Sequence, residues 1–191
     1  MDLNALVGTI LSQDSISSVA KRTDLSERDV QSVMQSALPL LLNGAKEQAN
    51  AQATAAGFAG ALNQHAQSDT ADLPGFFGSV DLDDGAKIVD HLLGAQSAQA
   101  VARKAGVSSA ATQSVLSAAA PLLMSLLGKE NQKTDNTAAV LMSTLLGNAD
   151  LSSLIGSVLG ASTTSSGKKK KKKKAASGSS SVIDLLGKLL K

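Results

Sequence analysis

The chain repeats itself, and that repeat limits its fold more than any other feature. The stretch VAKRTDLSERDVQSVMQSALPLL (19–41) aligns with VARKAGVSSAATQSVLSAAAPLL (101–123) at a constant offset of 82, with 10 of 23 positions identical. Upstream, LVGTIL (6–11) falls on IVDHLL (88–93) at the same offset. Downstream, after a small gap, DLPGFFGSV (72–80) matches DLSSLIGSV (150–158). A fixed period of this size means two copies of one structural unit.

Residue types set the class of that unit. The hydrophobic residues are mostly Ala, Leu and Val, and the only aromatics are Phe58, Phe76 and Phe77. Leu and Ala favour helix, and strand formers are scarce, so an all-α fold is expected. Leu3, Leu6, Val7, Ile10 and Leu11 follow the i, i+3, i+4, i+7, i+8 stripe of a helix with one buried face. A second helix carries Val19-Ala20-Lys21-Arg22. Ser26 caps a third, with Asp29 at its third position and Val30, Val33, Met34, Ala37 and Leu38 on its buried face.

The second copy reads the same way. A short helix, Val101 to Lys104, meets a turn at Ala105-Gly106-Val107, and Ser108 caps the next helix. Gly106 suits the left-handed turn position, which gives a helix-turn-helix pattern. Pro39 and Pro121 fall at equivalent places inside apolar helical runs, where a proline should kink or restart the helix. Residues 43–67 continue as an Ala-rich helix. Residues 72–85 read as a loop joining the repeats, ending at a helix start near Asp84.

Beyond residue 160 the character changes. Residues 161–181 are Ser, Gly and Lys-rich and hold seven consecutive lysines, a composition that cannot build a core and reads as a disordered linker. Residues 182–191 are apolar again: Val182, Leu185, Leu186, Leu189 and Leu190 form one stripe of a short amphipathic helix. A helix of about ten residues is marginal alone, so it must dock on something. The expected organisation is a first helical repeat (1–80), a second (81–160), the linker (161–181) and a docking helix (182–191).

Charge divides along the same line. Residues 1–160 carry 9 Lys or Arg against 15 Asp or Glu, a net −6, whereas residues 161–191 carry 9 Lys against Asp184 alone, a net +8. An acidic body bears a basic tail. Lys168, Lys169, Lys170, Lys171, Lys172, Lys173 and Lys174 form a point-charge surface for a polyanion such as nucleic acid, polyphosphate or an anionic membrane. No aromatic interleaves them, which argues against single-strand stacking. The terminal helix fits a groove on a protein partner or on a second copy.

The helix-turn-helix pattern raises the question of DNA reading. A reader places Arg, Lys, Asn or Gln at the start of its second helix. Arg28, Gln31 and Gln113 are the residues available for DNA contact. Against them stand Glu27 and Asp29 in the first copy and the neutral run Ser109, Ala110, Ala111, Thr112 in the second. A compact packing unit is the reading favoured by these residues.

Other chemistry finds little support. The chain has no cysteine, which excludes disulfides and thiolate metal sites and fits a cytoplasmic setting. Residues 1–14 lack a basic segment and carry Asp2, unlike a secretory signal. Apolar runs fall short of the ~20 residues of a spanning helix. His65 and His91 are the only histidines, one ending a helix and one near the buried face of another. They form no metal-ligand spacing. DLDDG (81–85) fails as a calcium loop because its twelfth position is Leu92, and reads as turn plus helix cap. No catalytic constellation, cofactor or small-molecule substrate is expected.

The segments FAGALNQHAQ, DLPGFFGSVDLDDGAKIVDHLLG and APLLMSLLG resemble those of a bacterial family of unknown function. That family carries AL-x-x-H, DG-x-x-I-x-x-H-x-LG and a repeated (L/A)-P-L-L. The matching residues are Ala61, Leu62, His65, Asp84, Gly85, Ile88, His91, Leu93, Gly94 and the segments around Pro39 and Pro121. The resemblance covers about residues 1–160, leaving the lysine run and terminal helix outside it. It extends to YidB-like proteins and implies homeodomain-like helical packing in a cytoplasmic bacterial protein with no established catalytic residues. The expectation is a non-enzymatic interaction or scaffold protein, and the alternative is a protein that binds DNA non-specifically.

Overall fold

A computed structural model describes residues 3–134 and 137–147, all of them helix or the connections between helices. The order is α1 (Leu3–Ile10), α2 (Gln13–Thr23), α3 (Glu27–Asn50), α4 (Ala55–His65), α5 (Leu73–Ser79), α6 (Leu82–Leu92), α7 (Gly94–Ala105), α8 (Ser109–Thr134) and α9 (Ala138–Leu146). The sequence repeat is also a structural one. Adding 82 to the bounds of α1 to α4 lands within three residues of α6 to α9. The expected linker and docking helix (161–191) lie outside the described residues.

Local chemistry fixes the helix ends. Ser12, Ser26, Asp72, Asp81 and Thr137 each accept a hydrogen bond from a first-turn N–H of the helix that follows. Ser108 does the same for α8 through the Ala111 N–H at 3.2 Å. Both helix-turn-helix connections bend at one left-handed residue, Asp24 (φ 55°) and Gly106 (φ 70°). In each, the N–H of the next residue returns 3.1 Å to the equivalent carbonyl, Ala20 or Ala102. The second helix-turn-helix thus begins at Gly94, a full helix rather than the short one at Val101 to Lys104.

Three expectations need correction. Neither proline restarts its helix: α3 runs through Pro39 and α8 through Pro121. The Ala-rich helix over 43–67 is broken instead at 51–54. There Ala51 turns extended (φ −78°, ψ 122°) and the Thr54 hydroxyl donates to the Gln48 carbonyl at 2.9 Å. The stretch 72–85 is not a plain loop. Asp72 caps α5, with Pro74 in its first turn where a missing N–H costs nothing, and Asp81 caps α6 at Leu82 rather than near Asp84.

The two copies share one core. Buried apolar side chains of both form a single cluster. The fourth helix of each copy crosses to the other: α4 lies mainly against α8 and only secondarily against α3, while α9 lies mainly against α3. Residues 115–128 of α8 are buried on every side. By length and composition α8 is the one described helix that passes as a membrane span, but 78 % of its most apolar window is buried inside the protein, as a central core helix requires.

Such burial demands close backbone approach. A Cβ at Gly85 of α6 would overlap the Ser117 carbonyl oxygen of α8, and one at Gly128 of α8 would overlap the Leu62 carbonyl of α4. Ser117 is four residues before Pro121, so its carbonyl lacks the usual in-helix donor. That carbonyl is met by a residue with no side chain.

Gly85→Ala and Gly128→Ala should each destabilise by about 1–3 kcal/mol or more through overpacking. Gly57→Ala, in open space on α4, should instead be neutral or stabilising by roughly 0.5–1 kcal/mol. Urea unfolding of the three variants checks this; equal effects would contradict the close-approach argument. Thr112 is 1 % exposed, and its hydroxyl has no hydrogen-bond partner among the described residues. Its counterpart in the first copy is Val30, also fully buried. Thr112→Val should therefore raise the unfolding free energy by roughly 1 kcal/mol, read as a higher urea midpoint at unchanged slope.

Candidate functional site

The residues singled out for DNA contact sit at matched registers of the two capped helices. Arg28 and Gln31 are exposed on the first two turns of α3, and Gln113, at Gln31's position plus 82, is half-exposed on α8. Their surroundings are poor for phosphate. Glu27 is exposed beside Arg28 and accepts from Gln13 Nε2 at 2.8 Å, while Asp29 accepts from the Ser26 hydroxyl at 2.8 Å. The same part of α3 is also used inside the protein. The Ser32 hydroxyl donates 3.3 Å to the Ala105 carbonyl, at the end of the second copy's α7. Lys168–Lys174 and the stripe Val182, Leu185, Leu186, Leu189 and Leu190 lie outside the described residues.

A different cluster forms where the copies join. A cleft of about 460 Å³ is lined by His65 at the end of α4, Asp69 and Asp72, Phe76 of α5, the α6 cap Asp81, Asp84 of α6, and Pro121. In the sequence, His65 stood out as one of two histidines, Pro121 as a proline inside a helical run and Asp84 within the family segments, while Asp69 had no signal. No periodicity signalled that the α4 end, α5 and the α6 start would converge. His65 Nε2 lies 3.5 Å from Asp84 Oδ2, with the imidazole largely buried and the carboxylate half exposed. The other carboxylates are engaged with backbone. Asp69 accepts from the Ala71 N–H at 2.9 Å, Asp72 from the Gly75 N–H at 3.2 Å, and Asp81 from the Asp83 N–H at 2.9 Å. Their chemistry is helix and turn capping. Among the described residues, no three His, Asp or Glu side chains are grouped to hold a metal ion.

A second cleft, about 410 Å³, is apolar, with Phe58 and Ala61 of α4, Ile88 and Leu92 of α6 and Met124 of α8 in its wall. His91 stands at its rim and is exposed, contrary to the expectation that it nears the buried face. The reason is rotational. Gly85, Ile88, Val89 and Leu92 take the inward stripe of α6, and His91 falls beside it. Its backbone carbonyl accepts from Gln48 Nε2 at 2.9 Å, tying α6 to the end of α3.

If Asp81 serves as a cap, Asp81→Ala should cost about 1 kcal/mol. Asp84→Asn, which removes a half-exposed ion pair, should cost no more than about 1 kcal/mol. Thermal unfolding of both variants reads these costs, and a neutral Asp81→Ala would remove the capping assignment.

A family model described as bacterial protein of unknown function (DUF937) matches residues 5–130 and, a second time, residues 96–190. The second match runs through the lysine run and the terminal apolar stretch, so the resemblance is not confined to residues 1–160. No curated protein and no solved structure matches the chain. With the first match alone spanning more than half of its 191 residues, the chain belongs to the DUF937 family of bacterial proteins of unknown function.

Proposed function

We propose that this protein is a non-enzymatic interaction protein: an acidic helical body that holds a basic tether ending in a docking helix. The observation that carries this reading is the division of charge, −6 over residues 1–160 and +8 over residues 161–191. In it, Lys168–Lys174 contact a polyanion without sequence readout, and Val182, Leu185, Leu186, Leu189 and Leu190 engage a protein partner or a second copy. The paired helix-turn-helix units act as homeodomain-like packing elements, in keeping with the YidB-like resemblance, and the setting is the cytoplasm. The acidic first turn of α3 and the Ser32 bond to the other copy support this use of the units as scaffold.

A second reading keeps DNA as the target. It is favoured by the exposure of Arg28 and Gln31 at the start of a capped second helix, where a reader would place them.

Titration of labelled duplex DNA with the full chain separates the readings. A lysine tether predicts binding that weakens by roughly three orders of magnitude between about 50 and 200 mM salt and disappears when Lys168–Lys174 are all changed to Gln. Binding that survives that change but is lost in an Arg28→Ala, Gln31→Ala, Gln113→Ala variant would install the second reading. Absence of salt-dependent binding to DNA and to polyphosphate would remove the polyanion role of the tether.

A further inference from the structure

Both copies carry two cations at the end of their second helix, but only the first sets a hydroxyl beside them. Lys21 and Arg22 stand in the last turn of α2, and Arg103 and Lys104 in the last turn of α7. Cations there offset the negative end of the helix dipole, which accounts for the pair in both copies. It does not account for Ser18. This residue lies three and four positions before Lys21 and Arg22, on the same face of α2. Ser18 is only 8 % exposed, yet its hydroxyl makes no hydrogen bond with the described residues. A buried hydroxyl without a partner is costly, and the second copy avoids the cost with Ala100.

All three residues line one cleft of about 260 Å³, whose other wall is Pro74, Phe77 and Gly78 of α5. Arg22 is held in place there: its Nη2 donates 3.1 Å to the Val80 carbonyl, and the rest of the guanidinium fork keeps further N–H donors. Neither Lys21 nor Arg22 pairs with a carboxylate among the described residues. Nothing fills the space over Gly78, where an added Cβ would meet no atom within 4 Å.

We propose that this cleft binds the phosphate group of a small phosphomonoester. The phosphate oxygens accept from the Ser18 hydroxyl and from the Arg22 fork, and Lys21 supplies a second positive charge. Such a group gives Ser18 the acceptor it lacks and gives both cations the counter-charge they lack. Pro74 and Phe77 offer an apolar wall to the organic part of the ester. The body carries a net −6 over residues 1–160, which repels a long polyanion, so a single phosphate group is the better match. The site belongs to the body and stands independently of the lysine tether.

Amide NMR of the full chain, titrated with inorganic phosphate at constant ionic strength, reads the site residue by residue and apart from the tether. Saturable shifts should centre on Ser18, Lys21, Arg22, Phe77 and Gly78, with Ala100, Arg103 and Lys104 as the internal control. Ser18→Ala installs the residue that the second copy already folds with, and should weaken binding about tenfold. Lys21→Gln should weaken it as well. Absence of saturable shifts, shifts of equal size at Arg103 and Lys104, or an unchanged affinity in Ser18→Ala overturns the proposal. Phenyl phosphate separates the two sources of the group. Tighter binding than inorganic phosphate upholds the ester, and equal or weaker binding overturns it in favour of the free ion.

Discussion

Where Pro121 takes an N–H away from α8, the Ser117 carbonyl is left inside the protein without its in-helix donor, and the Cα of Gly85 is what lies against it. The rest of the packing hangs on that approach. A side chain at position 85 would push α6 away and uncover Ser117, Pro121 and the inward stripe of Ile88, Val89 and Leu92. Further along α8, Gly128 lets α4 come equally near, and Leu62 is fully buried. Two glycines thus allow one helix to be surrounded, and a surrounded helix is what lets so Ala-rich a chain form a dense interior. Each fully buried Leu or Val on α8 contributes on the order of 1.5–3 kcal/mol relative to exposure, a gain that depends on the neighbours being able to reach it.

The two copies are not used identically. Position 85 is Gly in the second copy and its counterpart is Leu3 in the first; position 112 is Thr where the first copy has Val30. Accordingly α6 lies close along α8, whereas α1 packs on α8 and α2 and leaves the matching part of α3 to polar residues such as Gln31 and Gln35. One copy supplies the centre and the other supplies more of the outer surface. The clefts between them are lined by caps and core edges, which is why the charge division of the chain says more about function than either cleft does.

Much of the architecture was legible in the residues. The offset of 82 carries over from letters to helices, and Ser26 and Ser108 cap the helices that their positions announce, because capping is local chemistry. The stripe on α1 is also as expected, with Leu6 and Ile10 buried. What failed to show depended on distant contacts. Proline chemistry argued for a kink or a restart at 39 and 121, but α3 and α8 each run on through their proline without restarting. The break at 51–54 had no glycine or proline to mark it, only an extended Ala51. α5 was hidden by Pro74 and its two glycines, which read as loop until Asp72 is seen to cap it. The exposure of His91 turned on a rotation of one residue, finer than a stripe of apolar letters resolves. Of the candidate site residues, Arg28, Gln31 and Gln113 fell at the registers that the repeat implies, but the convergence of His65 with Asp69, Asp72, Asp81 and Asp84 required the fold.

The crossing of α4 onto α8 bears on the order in which the protein is made. A ribosome delivers α4 long before α8, so Phe58 and Leu62 must wait in water for residues more than fifty positions away. The first copy cannot finish its interior by itself; closure comes late and engages both copies together. Seen this way, the single chain is the covalent form of a twofold pair, in which each half lends the other its fourth helix and the segment from α5 to α6 is the tie that makes the exchange unimolecular.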